Sequence, residues 1–165
     1  MSKNILVGQS GGPTAVINAS LYGIIKEAAA HCDKAGHVYG MINGIEGFLS
    51  GHVMDLSAEL SDEDLELLRL TPAAYLGSCR YKLPADLDSE VYPAIFDNFR
   101  EMNIGYFLYV GGNDSMDTVD KLSRYAEKIG SDVKFIGIPK TIDNDLVLTD
   151  HTPGFGSAAK YVAST

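Results

Sequence analysis

The stretch YFLYVGGNDSMDTVDKLSRYAEKIGSDVKFIGIPKTIDND, residues 106–145, decides the fold. Its apolar opening, Tyr106 to Val110, reads as a buried strand. Two glycines and a polar run follow. Val119, Leu122, Tyr125, Ala126 and Ile129 then recur at three- and four-residue steps, one face of a helix that Gly130 closes. Val133 to Ile138 is a second apolar run, and Lys134 near its start brings that end to solvent. Strand, helix and strand in this order predict parallel pairing through a right-handed crossover.

The same alternation extends towards the N-terminus. Ile5-Leu6-Val7 and Val38-Tyr39-Gly40-Met41 read as strands, and Val16, Ile17, Leu21, Ile24, Ile25 and Ala28 form a helical stripe between them. Ser61 before Asp62, Glu63 and Asp64 is a helix start, a capping hydroxyl followed by carboxylates at the positive end of the dipole. Val91, Ile95, Phe96 and Phe99 make another stripe, whereas the glycine-rich stretch from Asn43 to Gly51 reads as a loop. The prediction is an α/β, doubly wound, mostly parallel sheet with helices on both faces, Rossmann-like, with residues 1–165 as one domain. Ligands of such sheets sit beyond the carboxyl ends of the strands, near the switch point of strand order.

Composition narrows the functions open to this fold. With 22 acidic against 13 basic residues the formal charge is −9, which argues against a general nucleic-acid binder. No run approaches the ~20 apolar residues of a membrane span. The opening Met1-Ser2-Lys3-Asn4-Ile5 lacks the apolar core of a secretion signal, so a cytoplasmic location is expected. Cys32 and Cys79 lie far apart with no CxxC pair and are expected to be reduced. His31, His37, His52 and His151 show no zinc spacing.

Three loops at predicted strand ends carry the chemistry. In Gln9-Ser10-Gly11-Gly12-Pro13-Thr14 the glycines let backbone approach a ligand, and the following helix start points its amides there. This is neither a P-loop nor GxGxxG, and a tight turn explains an isolated Gly-Gly as well as phosphate binding does. In Gly111-Gly112-Asn113-Asp114-Ser115 the polar oxygens suit magnesium or phosphate, although an N-cap would account for Asp114 and Ser115. In Pro139-Lys140-Thr141-Ile142-Asp143-Asn144-Asp145 a carboxylate can take a hydroxyl proton and the lysine can neutralise phosphate oxygens. A polar turn explains Asn144 and Asp145 but leaves Lys140 and Asp143 unexplained. In Gly77-Ser78-Cys79-Arg80-Tyr81-Lys82, Arg80 is an anion-ligand candidate and Lys82 reads as an ordinary surface lysine.

Taken together, Ser10-Gly11-Gly12, Asn18-Ala19, Gly77-Ser78-Cys79-Arg80, Gly111 to Ser115, Pro139 to Asp145 and Thr149 to Gly156 resemble the phosphofructokinase family, in family order and over essentially the whole chain. Asp114 and Lys140 resemble its diphosphate-dependent branch, since the ATP-using members carry glycine at both positions. A carboxylate at Asp114 would crowd the inner phosphate of a nucleotide and leave room for bare diphosphate. The resemblance implies phosphoryl transfer from diphosphate to the C1 hydroxyl of fructose 6-phosphate, without a covalent enzyme intermediate, in glycolysis. It implies Asp143 as base and Lys140 and Asp114 as catalytic partners. Thr141, Ile142, Asp143 and Asp145 fall at the sugar, and Gly11, Gly12, Arg80, Gly112 and Ser115 at the donor phosphates. It also implies a magnesium ion and a homo-oligomer when full length.

Two departures accompany the resemblance. Asn113 stands where the family usually has the aspartate tied to magnesium, which keeps an oxygen ligand but loses its charge. The chain is also much shorter than family members, so it is expected to be the N-terminal part of a two-domain enzyme, with little turnover alone. The competing readings are an ATP-dependent kinase, a non-catalytic phosphometabolite-binding module and a dinucleotide-binding oxidoreductase. The last lacks its glycine fingerprint.

Overall fold

A computed structural model describes residues 2–165. In chain order its elements are β1 (Lys3–Gln9), α1 (Ala15–Ala30), β2 (Ala35–Met41), α2 (Gly44–Leu49), β3 (Val53–Asp55) and α3 (Leu56–Glu59). They continue with α4 (Asp62–Leu70), α5 (Val91–Glu101), β4 (Ile104–Gly111), α6 (Asn113–Ile129), β5 (Lys134–Pro139) and α7 (Phe155–Ser164). The five strands run in the order β3-β2-β1-β4-β5. β1 pairs in parallel with β2 and β4, and β4 with β5, whereas β3 is antiparallel to β2.

The two-residue period of the strands sorts the core into two layers. Leu6, Phe107 and Tyr109 face one side, where Ile45 of α2, Tyr92, Ile95, Phe96 and Phe99 of α5, and Leu122 and Tyr125 of α6 cover them. Val7 and Val110 face the other, under Ile17, Leu21 and Ile25 of α1, Leu56 of α3, and Leu65 and Leu68 of α4. Helices on both faces of a mostly parallel sheet are thus the architecture that the alternating pattern predicts. α4 begins with the capping box that Ser61 announces: the Asp64 amide donates to Ser61 Oγ at 3.2 Å, and the Ser61 amide to Asp64 Oδ2 at 3.1 Å.

Three segments depart from the sequence expectation. Asn43 to Gly51 is not a loop, because it contains α2. Its glycines permit close approach instead: a Cβ at Gly44 would lie 2.7 Å from Cys79 Sγ and 2.9 Å from the Tyr109 hydroxyl, and one at Gly47 would run into the Ile42 carbonyl. β3 and α3 are too short to show periodicity. Cys32 is exposed, Cys79 is buried, and both are free thiols.

Strand order also places the site. The chain leaves β1 towards β2 on one side and returns to β4 on the other, so strand order reverses between β1 and β4. The segments after β1, β4 and β5 therefore leave the same end of three adjacent strands.

Candidate active site

The donor side of this end begins with two fully buried amides. The Gln9 side chain is 0% exposed, and its amide nitrogen donates to the Ile17 carbonyl at 3.2 Å and to Asn18 Oδ1 at 3.0 Å. Gln9 Oε1 accepts from the Leu76 amide at 2.9 Å. Asn18 Oδ1 accepts from the Tyr75 amide at 2.8 Å, and Asn18 Nδ2 donates to the Thr71 carbonyl at 2.9 Å. β1 and α1 thereby hold the irregular segment 71–80 as a strap. Its far end is tied by Ser78 Oγ, which donates to the Gly11 carbonyl at 2.7 Å, and by Ser10 Oγ to the Cys79 carbonyl at 3.4 Å. Behind the strap, burial pushes the Tyr109 phenol well above its ordinary pKa, so it stays neutral beside Cys79.

The strap delivers Arg80 and Lys82 to a cleft of about 430 Å³ whose other walls are Gly11, Gly12, Gly112, Asn113, Asp114, Ser115 and Lys140. Asp114 and Ser115 do not cap α6; the cap position is Gly112, with no side-chain bond to the helix start. Ser115 is 2% exposed and sits so close to Gly111 that a side chain there would collide with it. Asp114 points outward and meets Lys82 Nζ at 3.1 Å. Lys82 is the surface lysine of the sequence reading, 71% exposed, and it borders the cleft with its partner 32 residues away in the sequence.

The second side is built by the segment after β5. The Lys140 amide donates to the Gly111 carbonyl at 3.0 Å, which extends the β4–β5 ladder by one bond and fixes where the segment leaves the sheet. Lys140 is only 5% exposed, and among the described residues it forms no ion pair. A Cβ at Gly11 would lie 3.5 Å from its ammonium nitrogen. Burial lowers the Lys140 pKa from the ordinary lysine value. The Asp143 amide donates to Thr141 Oγ1 at 3.0 Å, a local turn that leaves the Asp143 carboxylate exposed. Asn144, at φ 55°, accepts from the Thr152 amide at 3.0 Å and donates to the Asp150 carbonyl at 3.2 Å. The polar-turn reading of Asn144 accounts for it fully.

Lys140, Thr141, Ile142, Asp143 and Asp145 border a second cleft of about 250 Å³ together with Gly12, Thr14, Gly112 and Asn113. Gly12, Gly112, Asn113 and Lys140 line both clefts, so the two are adjoining halves of one site. Every residue to which the sequence reading assigns a catalytic, sugar, donor or metal role borders one half or the other. Sequence reasoning gave no supporting role to Gln9 and did not foresee the Lys82–Asp114 pair. A Gln before Ser-Gly-Gly carries no periodicity signal, and the ion pair exists only once the strap crosses the sheet.

The donor set is one of hard oxygens and three cations. No three acidic, histidine or cysteine side chains among the described residues group closely enough to cage a metal. Single oxygens of Asn113 and Asp145 on one cleft would suit a magnesium ion that keeps most of its water. Among the described residues no helix is long and apolar enough to cross a membrane.

The family model described as Phosphofructokinase matches residues 4–165. The pyrophosphate–fructose 6-phosphate 1-phosphotransferase of Halomonas elongata is 49% identical over 164 residues, covering 98% of this chain and 39% of that protein. The crystal structure of the pyrophosphate-dependent phosphofructokinase from Marinobacter aquaeolei superposes with a TM-score of 0.89 at 48% identity, over 98% of this chain and 39% of that one. The corresponding enzyme structure from Nitrosospira multiformis gives 0.92 at 44% identity, over 99% and 40%. The chain thus spans about two fifths of the length of the relatives it matches.

Proposed function

The chain belongs to the phosphofructokinase family, and on that premise we propose that its 165 residues are the donor-binding and base-bearing part of a diphosphate:fructose-6-phosphate 1-phosphotransferase. The observation that carries the reading is the shared cleft: Lys140 and Asp143 border it beside Gly12 and Gly112, on a segment bonded to the end of β4. In the proposed step the C1 hydroxyl oxygen bonds to a terminal phosphorus of diphosphate, the bridging P–O bond breaks, and orthophosphate leaves. The hydroxyl proton passes to the Asp143 carboxylate. Lys140 stands where negative charge builds on the transferring and leaving oxygens, and being already desolvated it neutralises them more strongly than an exposed lysine does. Gly11 and Gly12 backbone and Arg80 hold the donor, and Thr141, Ile142 and Asp145 face the acceptor. Asn113 and Asp145 would hold a magnesium ion jointly with diphosphate, where its charge would offset that of the donor oxygens.

Donor choice follows from space and charge. Asp114 borders the donor half with its carboxylate exposed, and a carboxylate there would crowd and repel the inner phosphate of a nucleotide while leaving room for bare diphosphate. Among the described residues Lys140 is the one cation on the cleft wall around Asp143, too few to grip a sugar phosphate, so this chain alone binds donor with little turnover.

Calorimetric titration of the chain with inorganic diphosphate and with ATP tests the reading. Diphosphate binds and ATP binds at least about tenfold more weakly; equal affinities, or ATP alone, would sink the assignment. The pH dependence has a definite sign. Because the folded-state pKa of Lys140 is depressed, its charge is lost at lower pH than that of an ordinary lysine. Diphosphate affinity therefore falls as pH rises through that lowered value. Stability rises over the window between the lowered and the ordinary value, since there the unfolded chain holds the extra proton.

A further inference from the structure

Ser78 Oγ donates to the Gly11 carbonyl at 2.7 Å, yet Ser78 itself borders neither half of the site. The Gly11–Gly12 peptide is trans, so its carbonyl and its N–H point in opposite directions. With the carbonyl drawn to Ser78, outside the cleft wall, the Gly12 N–H is turned the other way, towards the clefts that Gly12 borders. Among the described residues that amide has no hydrogen-bond partner, and Gly12 is exposed. The backbone alone does not fix this orientation. Gly11 sits at φ 75°, and a peptide between two glycines can turn over because both residues tolerate either sign of φ. Turned over, the carbonyl would face the cleft, where Arg80 and Lys140 would attract it and where it would repel an anion.

We propose that Ser78 is a positioning residue of the donor site: its hydroxyl selects the orientation of the Gly11–Gly12 peptide that presents the Gly12 N–H to a diphosphate oxygen. Ser78 does not touch the donor. Its one bond decides whether the cleft meets an amide, which donates to a phosphate oxygen, or a carbonyl, which can only accept. An ordinary hydrogen bond shifts such an equilibrium about fivefold. Apparent affinity scales with the fraction of chains already in the competent orientation, so the bond acts on binding from outside the cleft. The inference rests on the diphosphate reading of the site and deepens it, from the backbone that meets the donor to the side chain that aims it.

The test uses the 165-residue chain, inorganic diphosphate as probe, calorimetric affinity and the amide resonance of Gly12. In the parent chain, saturating diphosphate moves the Gly12 amide proton downfield as it gains a charged acceptor. Ser78→Ala lowers diphosphate affinity about three- to fivefold. Its ligand-free Gly12 resonance is displaced or broadened as the peptide samples both orientations, and saturating diphosphate returns it to the parent's bound position. Ser78→Thr keeps the hydroxyl, so it restores the resonance and holds affinity within about twofold of the parent chain. Simple loosening of the strap would instead weaken binding through Arg80 and leave the Gly12 peptide as it was. Unchanged affinity in Ser78→Ala overturns this inference alone. So does lowered affinity with the ligand-free Gly12 resonance in its parent position, or a Ser78→Thr chain as weak as Ser78→Ala. If the parent chain does not bind diphosphate, the proposed function falls and this inference with it.

Discussion

The strap of residues 71–80 and the segment of residues 140–154 approach the same site from opposite sides, and they are held in opposite ways. The strap has almost no secondary structure, yet its amides and carbonyls are taken up by Gln9 and Asn18, both essentially inaccessible to water. The other segment leaves the sheet by one ladder bond from Lys140 and is then shaped by its own side chains, through the Thr141 and Asn144 turns, with Ile142 and Asp143 facing outward. Hydrogen bonds in a dry interior are expensive to break, while those of an exposed turn trade with water at small cost. The donor side is therefore prebuilt. The side carrying the base is shaped locally and free to adjust when an acceptor arrives.

Breaking the buried side has the largest expected effect. Gln9→Leu removes the acceptor of the Leu76 amide and strands that donor in the core, and it takes away the contacts to Ile17 and Asn18. The loss is about 3 kcal/mol of folding stability, read from urea denaturation, and diphosphate binding weakens as Arg80 loses its mooring. An unchanged denaturation midpoint would mean that something other than the buried amides holds the strap.

The matching cut on the other side is Asn144→Ala. It removes the bonds to Thr152 and Asp150 and places alanine at φ 55°, a left-handed conformation that costs about 1 kcal/mol. The consequence is local: amide exchange at Thr141 and Thr152 quickens, whereas the global midpoint moves less than for Gln9→Leu. Asn144→Gly restores the backbone freedom without the bonds and so separates the two contributions. A global loss as large as that of Gln9→Leu contradicts the contrast between the sides.

The contrast also explains what was legible in the sequence. The sheet could be read because Leu6, Val7, Phe107 and Val110 must alternate between two covered faces. The loops could be read as a site because a doubly wound sheet brings strand ends together wherever order reverses. Segment 43–51 was misread because its glycines signal turns in sequence but serve close packing against Cys79, Tyr109 and Ile42. The strap was legible only as the residues it carries: its supports, Gln9 and Asn18, act over separations of up to 67 residues, which no local pattern encodes.

The smallest expected effect belongs to the ion pair that spans the donor half. Lys82 and Asp114 meet at 3.1 Å with side chains 71% and 75% exposed, a setting in which solvent screens the attraction and two long side chains lose freedom to keep it. Lys82→Ala therefore changes folding stability by no more than about 0.5 kcal/mol. In a double-mutant cycle with Asp114→Asn the coupling is of the same size and vanishes in 1 M salt, where charges are screened within about 3 Å. A coupling above about 1 kcal/mol that persists in salt would show charge pinning the strap to α6 as firmly as the amides pin it to β1. The donor pocket would then be clamped at both ends, and its prebuilt character could no longer be credited to Gln9 and Asn18.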